Sequence, residues 1–109
     1  MLDLLIKNAR IVTEQEIIYG NVGVSNGEIE YVSNEAKKAC KVIDVQGKYL
    51  LPGIVDDHVH FNEPGYTWRE DFQHGSRAAA KGGVTTVIDM PMQNDPAVTT
   101  AKIFADKEK

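Results

Sequence analysis

Two histidines one residue apart, His58 and His60, close the stretch Asp56-Asp57-His58-Val59-His60, and that spacing can seat a metal ion. In an extended strand residues i and i+2 point to the same side, so both imidazoles reach one ion while Val59 turns the other way into hydrophobic packing. Imidazole nitrogens suit zinc and other first-row divalent ions, and a catalytic site adds further ligands and an open position for water. A pair on a solvated strand face is the plain alternative. Asp56 and Asp57 stand where they could orient the imidazoles, a support that metal-bound histidines need; capping of the strand end is the other role open to Asp56.

The surrounding chain supplies a platform for such a site. Tyr49-Leu50-Leu51-Pro52-Gly53-Ile54-Val55 reads as a short strand, a Pro-Gly break and a buried strand, and Glu63-Pro64-Gly65 turns the chain just beyond the histidines. The histidines therefore fall where a buried strand delivers its last residues into a loop, the place where barrel enzymes carry their chemistry. Thr67-Trp68-Arg69-Glu70 has the form of a capping box and predicts a helix start. Trp68, Phe72, Gly75 or Ser76, and Ala79 recur at helical spacing, a packing face for Trp68 and Phe72, and Gly82-Gly83 ends the helix. Val84-Thr85-Thr86-Val87-Ile88, rich in β-branched residues, predicts a second buried strand. A loop over Asp89–Pro96 follows, and Thr99 or Thr100 can cap a last helix containing Ile103 and Phe104. His74, in the middle of the first helix, reads as solvated.

Residues 1–52 have a different texture. Leu4-Leu5-Ile6 and Arg10-Ile11-Val12 flank Lys7-Asn8-Ala9, and Ile17-Ile18-Tyr19 runs into Gly20-Asn21. Asn26-Gly27, between Val22-Gly23-Val24 and Ile29-Glu30-Tyr31-Val32, supplies the two positive φ angles of a type I′ hairpin. Val42-Ile43-Asp44-Val45 reaches another turn at Gln46-Gly47. The pattern predicts a small antiparallel sheet whose edges and one apolar face need a cover. From residue 53 to 109 the order becomes strand, helix, strand, helix, which predicts a parallel sheet with only two of its strands present. The expectation is the front end of a larger protein, or a truncated form of one.

Composition narrows the functional classes. The 109 residues are 42% hydrophobic and 26% charged, with a net charge of −4, which is ordinary for a soluble domain. No apolar run approaches the roughly 20 residues of a membrane span, and the start lacks the basic region of a signal peptide. Lysines are scattered apart from Lys37-Lys38 and a mixed tail, so neither nucleic acid nor membrane is an expected partner. Cys40 is the single cysteine and fits a reducing cytoplasm as a structural or surface thiol.

Over almost its full length the chain resembles the cyclic-amide hydrolases of the amidohydrolase superfamily, the group of dihydroorotase, dihydropyrimidinase (hydantoinase) and allantoinase. The likeness lies in Leu51-Pro52-Gly53-Ile54-Val55-Asp56-Asp57-His58-Val59-His60, Glu63-Pro64-Gly65, Gly75-Ser76-Arg77-Ala78-Ala79-Ala80-Lys81-Gly82-Gly83-Val84-Thr85-Thr86 and Asp89-Met90-Pro91. The resemblance implies an α/β fold: residues 1–52 as part of a small β-sandwich, and 53–109 as the first two units of a (β/α)8 metal-dependent hydrolase barrel, incomplete here. It implies His58 and His60 as ligands of a divalent metal, zinc by expectation, in a site that becomes binuclear only in a full-length enzyme. A bridging carboxylated lysine, two more histidines and a proton-shuttling aspartate belong to the family site; none matches a residue of this chain, so the segment alone is expected to be inactive. The residue two beyond the second histidine is usually arginine in dihydroorotases, where it grips the substrate carboxylate; here it is Asn62. His60-Phe61-Asn62-Glu63-Pro64-Gly65 resembles allantoinases, with Asn62, Gln93 and Asn94 as substrate contacts, although Gln93 stands where those enzymes commonly have asparagine. The implied partner is a small cyclic amide or ureide, and the implied assembly a homo-oligomer. Dihydroorotase, dihydropyrimidinase, and a catalytically dead, self-associating fragment remain the alternatives.

Overall fold

The computed structural model describes residues 1–92 and 94–108. The chain divides into two compact units, Met1–Pro52 and Gly53–Lys109.

The first unit is a five-stranded sheet. Strands β1 (Leu2–Val12), β2 (Ile17–Ser25), β3 (Glu28–Ser33) and β4 (Ala39–Asp44) lie in the order β3-β2-β1-β4, and the two-residue β5 (Tyr49–Leu50) also pairs with β1. The β2–β3 hairpin turns on Asn26 (φ 52) and Gly27 (φ 80), as the Asn-Gly pair predicts. The sheet is mixed rather than antiparallel. After β3 the chain crosses to the far edge of β1, where β4 and β5 both run parallel to it, a crossover that local turn signals do not report. Nor do Lys7-Asn8-Ala9 separate two strands. They form a bulge inside β1, where the register against β2 shifts between Ile6 and Ala9.

Asn8 carries that bulge. Its φ of 59 lies in the left-handed region, which asparagine enters more readily than most residues. Its backbone N–H donates to Asn21 Oδ1 at 3.0 Å, and its side-chain Nδ2 donates to both oxygens of Asp44 at 3.0 Å. Asp44 also accepts from the backbone N–H of Gln46 and pairs with Lys7 Nζ at 3.3 Å. These contacts, the Asn8 amide first, hold the Asp44 carboxyl below its usual range. Ala9, Ile11 and Val22 form the buried cluster on this sheet, with Ile6, Ile18, Val24, Val45 and Leu50 packed against it.

In the second unit β6 (Ile54–Val59) pairs in parallel with β7 (Val84–Asp89), and helix α1 (Phe72–Lys81) connects them; α2 (Ala101–Lys107) follows. Two expectations fail here. The strands are not buried: Ile54 and Val55 are 54% and 59% exposed, because a sheet of two strands offers a residue no neighbours on its open sides. Helix α1 does not begin at Thr67. It begins at Phe72, capped by Asp71, whose Oδ1 accepts from the His74 backbone N–H at 2.6 Å. An aspartate beside the helix outcompetes the Thr67–Glu70 pattern as a cap, and Thr67–Arg69 form a turn. Trp68, now outside the helix, is 77% exposed and does not pack as its spacing suggested; Arg69 lies over its ring at 5.3 Å. Phe72 does pack, its ring 4.9 Å from that of Phe61. The helix closes on Gly82, followed by Gly83 at φ 92, and α2 is capped by Thr100, which accepts from Ile103 N.

Candidate metal centre

The register of β6 sets the histidines. Asp56 pairs with Val87 and Val59 with Asp89, so β6 spends one residue more than β7 across that interval. Such irregularities re-aim side chains at strand ends. His58 lies inside the shifted interval and His60 follows the last strand residue. Their ring centroids are 5.0 Å apart at an interplanar angle of 79°, so the two imidazoles are neighbours as the i, i+2 spacing predicts.

Backbone fixes the tautomer of one ring. His60 Nδ1 is 2.7 Å from the Met90 carbonyl oxygen. A carbonyl can only accept, so Nδ1 carries a proton, and in the neutral ring Nε2 is left with the lone pair. This matches the outer hydrogen bond that orients a metal-bound imidazole. Asp56 has a different partner: its Oδ1 accepts from the His58 backbone N–H at 3.2 Å, the strand-end contact rather than a contact with a ring. The donor chemistry fits a first-row divalent ion, but two imidazoles are half of a four-coordinate set. Among the described residues no group of three or more His, Cys, Asp or Glu side chains could hold a metal.

Around the histidines two loops are drawn together. Asp89 Oδ1 accepts from the Phe61 backbone N–H at 2.8 Å, and Met90 N donates to the Val59 carbonyl at 2.8 Å. Asn94 is buried and bridges the loops, donating from Nδ2 to the Pro64 carbonyl at 3.2 Å and receiving Lys107 Nζ on Oδ1 at 3.4 Å. Asn62 is half-buried, and its Oδ1 has no hydrogen-bond partner among the described residues. Gln93, the third residue expected to touch substrate, lies outside the described residues. His74 is solvated as expected and pairs with Asp71 at 2.8 Å.

Three participants escaped the sequence reading. Glu63 is more than a turn residue, since its Oε2 accepts from the Phe72 backbone N–H at 2.9 Å and joins the loop to the start of α1. Asp89 was visible only as part of a motif. Lys107 belongs to the mixed, charged tail, yet its side chain is 7% exposed and pairs with Asp89 Oδ2 at 2.9 Å. No sequence signal marks that burial, because it depends on partners at Phe61, Glu63, Asp89 and Asn94, distant along the chain. A cavity of about 830 Å³ lies at this junction, lined by Glu63, Phe72, Asp89, Pro91 and Lys107 among others. Neither histidine lines it, so it belongs to the loop packing rather than to the metal centre.

Comparison with known proteins identifies the setting. Residues 49–107 match the amidohydrolase family. An allantoinase of Deinococcus radiodurans is 41% identical over 109 residues, covering 99% of this chain and 24% of that protein. A dihydroorotase of Methanothermobacter thermautotrophicus is 42% identical over 102 residues, covering 94% of this chain and 23% of that protein. Among solved structures, an L-hydantoinase (dihydropyrimidinase) from Arthrobacter aurescens superposes with a TM-score of 0.90 at 35% identity, over 98% of this chain and 24% of the other. The chain thus spans about a quarter of the length of the curated relatives it matches. The expected fold class, the α/β start of a hydrolase barrel preceded by part of a small β domain, agrees with that structural likeness.

Proposed function

The chain belongs to the amidohydrolase family, and from that premise we propose that it is the opening segment of a metal-dependent hydrolase of cyclic amides, with allantoin as substrate and allantoate as product. The observation that carries the metal part is the His58–His60 pair, with His60 Nδ1 committed to the Met90 carbonyl and Nε2 left to coordinate. Zinc is the ion proposed, in a binuclear site completed by ligands outside these residues. When bound, a divalent metal lowers the pKa of a water ligand and polarises the carbonyl under attack. This segment's own residues hold and orient: His58 and His60 donate nitrogen, the Met90 carbonyl fixes one ring, and Asp56 fixes the backbone at His58.

Substrate choice rests on Asn62. Allantoin is an uncharged ureide rich in N–H donors, and the carboxamide of Asn62, whose Oδ1 has no hydrogen-bond partner among the described residues, is an acceptor suited to them. A carboxamide cannot give a carboxylate the charge-assisted, bidentate contact that a guanidinium gives. Gln93 and Asn94 are proposed to complete that wall, Asn94 through the loop shape it maintains. The relatives support allantoinase and dihydroorotase alike, and the backbone likeness to an L-hydantoinase favours dihydropyrimidinase as the second reading. A cytoplasmic homo-oligomer acting on a small molecule completes the proposal.

The test is kcat/KM for allantoin, dihydroorotate, dihydrouracil and hydantoin, measured on the full-length protein under one metal condition. Allantoin is expected to rank first. Dihydroorotate in first place would overturn the reading of Asn62, and hydantoin or dihydrouracil in first place would replace it with the dihydropyrimidinase reading.

A further inference from the structure

Lys107 lies at the centre of a set of contacts that the proposed chemistry does not use. Its Nζ donates to the carbonyls of Glu63 at 2.7 Å and Phe61 at 3.3 Å and to Asn94 Oδ1 at 3.4 Å, stands 2.9 Å from Asp89 Oδ2, and lies over the Phe72 ring at 4.9 Å. Burying an ammonium is costly unless it is paired and its protons are used. Here the carboxylate and three oxygen acceptors from two loops converge on it, so the arrangement has the makings of a clamp.

Resting on the metal-site reading above, we infer that Lys107 is a positioning residue: through Asp89 it holds the strand end that carries His60 and thereby sets the orientation of that imidazole. The chain of contacts is short. Lys107 neutralises Asp89; the other oxygen of Asp89 accepts from the N–H of Phe61, the residue after His60. Met90, the residue after Asp89, accepts from His60 Nδ1 on its carbonyl and donates its own N–H to the Val59 carbonyl. Residues 59, 60 and 61 are thus fastened one after another to Asp89 and Met90. Removing the ammonium leaves Asp89, whose side chain is 13% exposed, as an uncompensated carboxylate. Such a group is relieved by swinging toward water, which releases the Phe61 N–H and with it the register that keeps Met90 opposite His60.

A purely architectural lysine would lower stability without changing the state of the His60 ring, so the ring is the readout. The experiment uses metal-free full-length protein with 15N-labelled histidine, in wild type, Lys107→Met, Lys107→Arg and Asp89→Ala. The His60 tautomer is read by long-range 1H–15N correlation, and zinc affinity by chelator competition on the same samples. Wild type is expected to show the Nδ1–H tautomer. Lys107→Met is expected to give a mixture of tautomers with at least tenfold weaker zinc binding, and Lys107→Arg, which keeps the charge, to retain most of both. If Lys107→Met does not fold, Asp89→Ala carries the same expectation for the ring, because it removes the oxygen that accepts from the Phe61 N–H. An unchanged Nδ1–H tautomer in the folded variants overturns the inference. Loss of the tautomer in variants of a protein that binds no zinc even as wild type would instead sink the metal reading while the positioning role stood.

Discussion

The ring of Phe61 occupies the space in which a side chain at Gly75 would stand: a Cβ there would lie 2.7 Å from Phe61 Cδ1 and closer still to Cε1. Helix α1 therefore approaches the loop after His60 more closely than any other residue type would permit. Phe61 is itself among the buried hydrophobic residues, 5% exposed. The loop that follows the histidines is anchored from one side by this contact and from the other by Asp89 and Lys107.

Gly75→Ala is accordingly expected to destabilise the full-length protein. Alanine gains about 1 kcal/mol over glycine in a helix interior, but overpacking a filled contact costs typically 1–3 kcal/mol. The displaced Phe61 drags on the His60 backbone, so metal affinity is expected to fall together with the thermal midpoint. A higher midpoint with unchanged metal affinity would show that Phe61 yields freely.

The start of α1 gives a second contrast. Asp71→Ala removes the cap and is expected to cost about 0.5–2 kcal/mol, whereas Thr67→Ala, at a turn outside the helix, stays within about 0.5 kcal/mol. Denaturant midpoints of the two variants decide it. Equal losses would restore the capping box at Thr67–Glu70.

Acid titration tests the bulge in β1. Because Asp44 has a folded pKa below its usual value of 3.8, held there first by Asn8, the unfolded chain binds the proton more readily than the folded one. Its stabilisation is fully present above the unfolded value and is lost as pH falls through the lowered folded value. Asn8→Ala is expected to move the Asp44 midpoint, followed by carboxyl 13C shifts, upward toward the usual value. No movement would mean that Lys7 and Gln46 suffice.

Much of this arrangement is legible in the residues. The Asn26-Gly27 hairpin, the α1 stop at Gly82-Gly83, the Thr100 cap and the nearness of His58 and His60 follow from local chemistry, where a few adjacent residues decide the outcome. What escaped depends on distant partners. The parallel pairing of β4 with β1 and the bulge at Asn8 depend on a crossover and on Asp44, far along the chain. The Asp71 cap won a competition between two acceptable local patterns. Lys107 is buried only because Asp89, Glu63 and Asn94 meet around it, and a lysine in a charged tail carries no mark of that.

Taken alone, residues 1–109 are expected to hydrolyse no cyclic amide with any added divalent metal and to self-associate. Two imidazoles give neither a binuclear site nor a leaving-group acid, and Ile54, Val55 and Ile88 stand exposed on the two-stranded sheet. Light scattering and an allantoin assay on the isolated segment check both statements. A monodisperse monomer with metal-dependent turnover above a protein-free control would contradict them.

The central claim, that His58 and His60 hold a catalytic divalent metal, is tested most directly by measuring bound metal and allantoin turnover together in the full-length protein and its His58→Ala and His60→Ala variants. Either substitution is expected to lower metal content and to cut turnover by at least a hundredfold, in line with about 10–100-fold losses for the outer partners of such ligands alone. Full metal content and undiminished turnover in both variants would contradict it.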